Sequence, residues 1–147
     1  MTGRIEFYRA GDDYGEFSNF SPHPIELGTE TWATTEHYFQ AMKFDDPELR
    51  ARIRDAPGPG EAARMGRRFE GLRTDWEAAK DDVMRAALRA KFTQHDRLHR
   101  LLLDTGDAEL VEHTRNDVYW ADGGDGSGLN RLGALLMELR EELRASG

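Results

Sequence analysis

The sequence predicts a compact, mainly α-helical domain with a minor β element. Two apolar patterns carry this prediction. From residue 76 to about residue 92, apolar side chains recur at the spacing of a helix face. From Leu129 to Leu143, leucines repeat at alternating steps of three and four, as in a helix that packs one stripe on a core. Because no internal repeat or linker is visible, we expect one domain over the 147 residues, with its core between about residues 5 and 143.

Short extended segments are predicted before the first helix. Residues 4–9 carry apolar and aromatic side chains and are predicted as a strand. Residues 11–24 are rich in Gly, Asp, Ser, Asn and Pro and are predicted as a loop. Residues 25–27 and 31–33, separated by Gly28-Thr29-Glu30, are expected to form a small hairpin that leads into the first helix.

Three helices are predicted next. The first covers residues 34–44, about three turns, because Thr34 or Thr35 can cap its start and no proline interrupts it. The second covers residues 47–55, with an aspartate as its cap and a proline at its first position, where a missing N–H costs nothing. The third covers residues 61–69 and is rich in alanine and arginine.

The sharpest helix start is the capping box Thr74-Asp75-Trp76-Glu77, in which a carboxylate follows a hydroxyl after three residues. The helix that it opens has the broadest apolar surface and is predicted to be the central one. A further helix over residues 96–103 ends near Gly106. Residues 110–113 are predicted as extended, and residues 116–130 form a glycine-containing loop before the amphipathic C-terminal helix.

Composition excludes several classes of protein. Hydrophobic residues make up 38% and charged residues 33%, which is typical of a soluble globular protein. No apolar run is long enough to span a membrane, and the N-terminus lacks the apolar core of a signal peptide. The absence of cysteine excludes disulfides and thiolate chemistry and fits a cytoplasmic protein. A net charge of −8 argues against broad, non-specific nucleic-acid binding.

The first helix carries the candidate chemistry. Glu36, Gln40 and Lys43 are spaced i, i+4 and i+7, so the predicted helix would place an acid, an amide and an amine on one face. The opposite surface is strongly apolar and aromatic. The face is therefore either a solvated surface with intrahelical pairing or a catalytic face that looks into a pocket.

The glycine-rich segment 123–130 is a candidate anion site. Free N–H groups at the start of the last helix, together with the helix dipole, favour a phosphate there. The P-loop lysine is absent, and Asp122 and Asp125 do not match a calcium loop, so neither nucleotide hydrolysis nor calcium binding is expected. A glycine-rich hinge without a ligand is the alternative.

Histidines and aromatic residues supply two further patterns. His95 and His99 form an i, i+4 pair, but a third ligand is not evident, so a surface pair is favoured over a metal site. Trp32 is interpreted as a core residue. Trp120, beside Tyr119 in the glycine loop, is a candidate for stacking on a planar ring.

A set of motifs in a fixed order resembles the NADAR family, and more narrowly its YbiA-like N-glycosidases. The resemblance covers about residues 6–140. It rests on these blocks: Phe17-Ser18-Asn19-Phe20-Ser21-Pro22, Thr35-Glu36-His37-Tyr38-Phe39-Gln40-Ala41 with Lys43-Phe44, Trp76, Lys91-Phe92, Tyr119-Trp120 before Gly123, and Gly128-Leu129-Asn130 through Leu132-Gly133.

The resemblance implies a compact, mainly α-helical domain that hydrolyses N-glycosidic bonds without a metal or organic cofactor. It places the functional acid at Glu36 and a lysine of the same helix at Lys43. The predicted substrate-binding residues, which combine the family's contacts with neighbours in the same motifs, are Phe17, Ser18, Asn19, Phe20, Gln40, Trp76, Trp120, Asp122, Asp125 and Asn130.

Two mechanisms use these residues. In one, Glu36 activates a water or stabilises the cationic sugar carbon. In the other, Lys43 attacks the anomeric carbon to give a ring-opened Schiff base while Glu36 shuttles protons, which requires a lowered lysine pKa. We favour the second, because glycosylamine sugars open readily to carbonyl equivalents.

The resemblance leaves the substrate open. Phosphoribosylamino-pyrimidines of early riboflavin synthesis are one substrate class in the family, and ADP-ribose attached to guanine bases is another. The acidic net charge favours a small ribosyl-phosphate metabolite over a nucleic acid. A module that binds ADP-ribose or a ribosyl phosphate without cleaving it, and an interaction protein without a small-molecule site, are the non-enzymatic alternatives.

Overall fold

The structure, a computed structural model, describes residues 3–146. Within that range the chain is mainly α-helical with a minor β component, which confirms the predicted fold class. The residues form two compact units. One contains residues 22–91; the other contains residues up to Ser21 together with those from Phe92 onward.

The unit of residues 22–91 begins with a β-hairpin. Strands β1 (Ile25–Leu27) and β2 (Glu30–Trp32) pair antiparallel, Ile25 opposite Trp32. Four helices follow: α1 (Thr35–Ala41), α2 (Pro47–Arg54), α3 (Pro59–Arg68) and α4 (Trp76–Gln94). The last three residues of α4 belong to the other unit. α1 packs on both α2 and α3.

An apolar core fixes this unit. Its buried members come from the hairpin, from all four helices and from the connections that follow α1 and α2: Ile25, Trp32, Ala41, Phe44, Ile53, Ala56, Ala62, Ala87 and Ala90. Alanines at the helix contacts let the backbones approach closely, because they occupy little volume. α1 is thereby held from several sides.

The other unit pairs two distant segments. The N-terminal strand, Arg4–Phe7, runs parallel to β3 (Glu109–Glu112), with Arg4 opposite Glu109. Helix α5 (Asp96–Asp104) and helix α6 (Arg131–Ser146) complete the unit, and α6 packs on both β3 and α5. A short 3-10 helix covers Gly15–Phe17.

The predicted helices and strands all occur, with corrections to the bounds of two helices and with one strand pairing that was not predicted. The first helix was expected to reach residue 44 but ends at Ala41, after seven residues. The C-terminal helix begins at Arg131, so Leu129 lies before it and is 63% exposed, whereas Leu132, Leu136 and Leu139 are buried. The parallel pairing of the N-terminal strand with β3 was not predicted, because strands of four residues leave no sign of their partner in the sequence.

Candidate active site

Helix α1 presents Glu36 in its first turn. The Thr34 hydroxyl caps the helix by accepting the His37 N–H at 3.1 Å, as predicted. Glu36 is half-buried. Because Glu36 is in the first turn, its carboxylate lies near the positive end of the helix dipole.

Gln40 lies one turn after Glu36 and binds it directly. Its Nε2 donates to Glu36 Oε2 at 2.7 Å, which is the geometry of a charge-assisted hydrogen bond. Gln40 is only 6% exposed, and among residues 3–146 its Oε1 has no hydrogen-bond partner. The predicted acid and amide are therefore joined, and the amide is held in the interior.

Gly66 of α3 makes room for the Gln40 side chain. A Cβ placed at residue 66 would overlap Gln40 Oε1 and would lie 2.8 Å from Gln40 Cδ. A glycine inside a helix costs stability, so its presence here has a packing reason: α3 approaches α1 closely enough that only a hydrogen fits against the amide.

Lys43 lies in the turn that follows α1, not on the helix. The expected common face of Glu36, Gln40 and Lys43 is therefore wrong in its helical geometry, because Met42 caps the helix and Lys43 is beyond it. The turn is still tied to the helix, since the Lys43 N–H donates to the Gln40 carbonyl at 3.3 Å.

Two arginines fix this turn by its carbonyls. Arg73 donates through its backbone N–H to the Lys43 carbonyl at 2.8 Å and through Nη1 to the Met42 carbonyl at 3.3 Å. Arg50 Nε donates to the Phe44 carbonyl at 2.5 Å. The contacts of these two arginines with backbone carbonyls were not predicted, because a side chain that binds a backbone carbonyl leaves no residue pattern.

The environment of Lys43 lowers the pKa of its amine. Burial lowers the pKa of Lys43 most strongly, Glu36 opposes this by raising it, and the positive charge of Arg67 lowers it further. The net direction is downward. A partly buried amine of lowered pKa beside a carboxylate can act as a nucleophile whose protons are handled by its neighbour.

His37 is a structural residue that the sequence reasoning did not interpret individually. Its ring is fully buried; Nε2 lies 3.1 Å from the Ala56 carbonyl and Nδ1 lies 2.8 Å from Thr34 Oγ1. A carbonyl only accepts, so Nε2 carries the proton and Nδ1 accepts from the threonine hydroxyl. Burial lowers the pKa of His37, although the bond to Ala56 raises it, and the imidazole is neutral.

Trp76 is a core residue. It is 6% exposed and packs edge-on against Phe39, with ring centroids 5.1 Å apart. The backbone N–H of Trp76 donates to the Arg73 carbonyl at the start of α4. Glu77, the next residue, pairs with Lys80 at 2.6 Å. The predicted helix start is confirmed to within two residues, while little of the indole surface is available to a ligand.

The predicted residues of the Phe17 motif lie in the other unit. Phe17 is fully buried between the rings of Phe7, Tyr14 and Phe92, so its expected ligand contact does not fit its place in the core. Ser18 and Asn19 are buried, and the Ser18 hydroxyl accepts the Phe20 N–H at 3.1 Å. Phe20 is 43% exposed and is the aromatic residue of this motif with free ring surface.

The glycine loop hydrogen-bonds to itself. The N–H groups of Gly126 and Gly128 donate to the Asp122 carbonyl, at 3.1 and 2.8 Å. At the start of α6, the N–H groups of Arg131 and Leu132 donate to the carbonyls of Tyr119 and Trp120, at 2.9 and 3.0 Å. The free N–H groups that the anion-site interpretation requires are thus already used, and the loop is a folded structure rather than a hinge.

Asp122 organises this loop. Its carboxylate accepts the N–H groups of Thr114 and Gly124, at 3.2 and 2.8 Å, and lies 2.7 Å from His113 Nδ1. Burial by itself raises the pKa of Asp122, but the bonds from His113, Gly124 and Thr114 outweigh it and the pKa is lowered. The same contact raises the pKa of His113. Asp122 is therefore engaged inside the loop.

The remaining predicted residues have local partners as well. Asn130 adopts a positive φ of 51°, and its amide bridges to β3 by donating to the Leu110 carbonyl and accepting the Glu112 N–H. Asp125 accepts the Ser127 N–H at 2.9 Å and is exposed. Trp120 is half-buried and packs edge-on against Tyr119.

The structure thus brings Glu36, Gln40 and Lys43 together in one unit, and the predicted binding residues from 17–20 and 120–130 lie in the other. Among residues 3–146, no group of three or more His, Asp or Glu side chains is arranged to hold a metal ion. No helix in the same range is long and apolar enough to cross a membrane.

Comparisons with known proteins agree with one another. The NADAR domain profile matches residues 6–144. N-glycosidase YbiA of Escherichia coli (strain K12) is 60% identical over 95% of this chain and 88% of its own length. Riboflavin biosynthesis protein PYRR, chloroplastic, of Zea mays is 46% identical over 97% of this chain but only 25% of its own length. The NMR structure of E. coli YbiA superimposes with a TM-score of 0.92 at 57% identity, over 99% of this chain and 88% of that one.

Proposed function

The chain belongs to the NADAR domain family, and on that premise we propose that it hydrolyses the N-glycosidic bond of a phosphoribosylamino-pyrimidine, using Lys43 and Glu36. That it is an N-glycosyl hydrolase follows from relatives named N-glycosidases that match most of its length. The NADAR match includes residues of both units, so we propose that residues 1–147 make up one such domain.

The observation that carries the mechanism is the state of Lys43. A lysine in water is protonated and cannot attack carbon, so covalent catalysis requires that its surroundings favour the free amine. Here burial and the charge of Arg67 act in that direction and exceed the opposing effect of Glu36. This supports the Schiff-base route over one in which Glu36 acts alone.

The proposed steps conserve atoms and charge. The ribosylamine opens to an imine between the sugar C1 and the base nitrogen, and a proton moves to the ring oxygen. The free amine of Lys43 adds to C1, and its two protons pass in turn, by way of Glu36, from the lysine nitrogen to the base nitrogen. The base leaves as an amine, and C1 is then joined to Lys43 as a Schiff base. Water adds to C1, both of its hydrogens pass as protons to the lysine nitrogen, and the sugar is released as an aldehyde.

Glu36 is suited to this proton transfer. Its carboxylate is fixed by Gln40, lies in the first turn of α1, and acts electrostatically on Lys43. In the alternative route Glu36 activates a water that attacks C1 directly, and Lys43 then serves only as a positive charge. The two routes differ in whether a covalent adduct forms on Lys43.

The proposed substrate class rests on two supports. A relative carries the name of a riboflavin biosynthesis protein, and the net charge of −8 disfavours a nucleic-acid substrate. Removal of ADP-ribose from guanine in nucleic acid is the competing activity, and retention of an uncleaved ribosyl phosphate is the non-enzymatic one. We expect turnover to persist in the presence of a chelator.

Reduction with borohydride during turnover tests the mechanism. The chain has three lysines, Lys43, Lys80 and Lys91, so peptide mass analysis assigns an adduct without ambiguity. We expect the sugar on Lys43 in the wild type and in Lys80→Met, and no adduct in Lys43→Met. Release of the base with no reduced adduct on Lys43 would overturn the Schiff-base route.

Glu36→Gln tests the acid, with Glu77→Gln as the matched control, because Glu77 is an exposed carboxylate on a helix of the same unit. Loss of a general acid–base group lowers turnover by about 10²- to 10⁴-fold, whereas the control should retain it. Full activity of Glu36→Gln would refute both routes. Incubation with the phosphoribosyl pyrimidine and with ADP-ribosyl-guanine DNA, followed by measurement of base release, decides the substrate.

A further inference from the structure

We propose that Arg67, on α3, binds the phosphate group of the ribosyl-phosphate substrate and so sets the position of the sugar at Lys43. This inference rests on the proposed function and adds a binding residue to it. The resemblance did not point to Arg67. The ligand chemistry is a phosphate monoester or diester, which a guanidinium recognises by paired, charge-assisted hydrogen bonds.

The packing of α3 on α1 places Arg67 beside the catalytic turn. Gly66 lies against the Gln40 side chain, and the Gln40 carbonyl accepts the Lys43 N–H at 3.3 Å. Arg67 is the next residue after Gly66. It also lies one turn after the buried Ala63, so it is on the flank of α3 that borders the contact with α1.

Arg67 is exposed and has no ion-pair partner among residues 3–146. Three other arginines of the same unit are paired: Arg64 with Glu61 at 2.5 Å, Arg54 with Glu30 at 2.8 Å, and Arg73 with Asp75 at 2.7 Å. The Arg67 guanidinium is therefore available for an external anion.

The charge of Arg67 reaches the reacting amine. Two cations close together repel one another, and the effect on Lys43 is a lower pKa. A phosphate bound at Arg67 would offset that repulsion. Burial, the larger influence on Lys43, would still lower the pKa of its amine. Phosphate binding at Arg67 and catalysis by the Lys43 amine are therefore compatible.

Arg68 offers a matched control. It is also an exposed, unpaired arginine of α3, but it lies on another side of the helix, one turn after the exposed Arg64. Replacing each arginine by glutamine removes one positive charge from the same helix. The effect of general charge is thus separated from the effect of position.

The test compares a phosphoribosylamino-pyrimidine with its dephosphorylated ribosyl form. In Arg67→Gln we expect kcat/KM for the phosphorylated substrate to fall about 10- to 100-fold, mostly through KM, while kcat/KM for the dephosphorylated substrate changes less than about threefold. Arg68→Gln should change neither by more than about twofold. Equal losses on both substrates, or no loss on the phosphorylated one, would overturn the inference.

Inorganic phosphate separates this inference from the proposed function. Titration of the ¹⁵N-labelled protein should shift the backbone amides of Gly66 and Arg67 in a saturable way, and Arg67→Gln should abolish the saturation. If neither substrate is cleaved but this binding persists, the proposed reaction is wrong and the phosphate site stands. If phosphate causes no saturable shift in the wild type, the phosphate site is wrong whatever the protein cleaves.

Discussion

Gly66→Ala tests whether the contact between α3 and the Gln40 amide holds the candidate site together. Alanine is the better helix former by up to about 1 kcal/mol, so on an open helix the substitution would stabilise the protein. Here the new Cβ overlaps Gln40 Oε1 and lies 2.8 Å from Cδ. Overpacking of this kind costs about 1–3 kcal/mol. The expected net change is a loss of about 1 kcal/mol, which lowers Tm by about 4 °C for a chain of this size.

The Gln40 amide can also yield by moving, at the expense of activity. It is almost fully buried and bonded to Glu36, so any movement that relieves the overlap weakens the 2.7 Å hydrogen bond. We therefore expect kcat/KM to fall together with Tm. Gly60→Ala is the control on the same helix, because the nearest atom to a Cβ there is 3.9 Å away, on the flexible Arg64 side chain. That substitution should be neutral or stabilising and leave activity unchanged.

A double-mutant cycle with Gln40→Ala gives the decisive result. Without the amide, only the 3.2 Å approach to the residue-40 Cβ remains, and a small shift accommodates it. Gly66→Ala should then become about neutral, so that the two substitutions couple by about 1 kcal/mol or more. Thermal or urea unfolding measures the coupling. Additivity within about 0.5 kcal/mol would refute the idea that Gly66 acts through Gln40.

Two further predictions concern titratable groups. Asp122→Asn should destabilise the protein by about 1–3 kcal/mol in urea unfolding, because an amide cannot accept hydrogen bonds from both backbone N–H groups and from the His113 ring together. As a control, substitution of the exposed Asp125 by Asn should change stability by less than about 0.5 kcal/mol. Equal effects of the two substitutions would contradict this assignment. In an NMR titration His37 should protonate below its unfolded pKa and His113 above it. The stability that His37 contributes is therefore present above about pH 6.5 and is lost as the pH falls through its folded pKa. The stability that His113 contributes is present below about pH 6.5 and is lost as the pH rises through its folded pKa. If both histidines titrated on the same side of about pH 6.5, the assignment would be refuted.

Local signals in the sequence predicted most of the fold. Three helix starts are indicated by neighbouring residues alone: by the Thr34 cap, by the proline at the start of α2, and by the sequence pattern of residues 74–77 at the start of α4. What could not be predicted depends on distant contacts. The parallel pairing of Arg4–Phe7 with Glu109–Glu112 joins segments that are separated by most of the chain, and nothing within either strand specifies its partner.

The candidate site was predictable in composition but not in detail. Spacing on a helix suggested Glu36 and Gln40 as partners, and the 2.7 Å bond confirms that they interact. Aromatic residues were harder to interpret: Phe17 and Trp76 are buried in apolar cores, and a sequence does not distinguish an aromatic residue that fills a core from one that awaits a ligand. Gly66 did carry a signal, since a glycine inside a helical pattern indicates a close approach.

The end of α1 before Lys43 bears directly on the proposed chemistry. A lysine just after a helix C-terminus is ordinarily stabilised as the ammonium ion, because the unpaired carbonyls there carry partial negative charge. In this chain the carbonyls of Met42, Lys43 and Phe44 are taken by Arg73 and Arg50. Those guanidinium and amide donors neutralise the acceptors that would otherwise attract the amine. Together with burial, this leaves Glu36 as the one group among the identified influences on Lys43 that favours its charged form, so the proton of that amine is controlled by the same carboxylate that the reaction requires as its proton carrier.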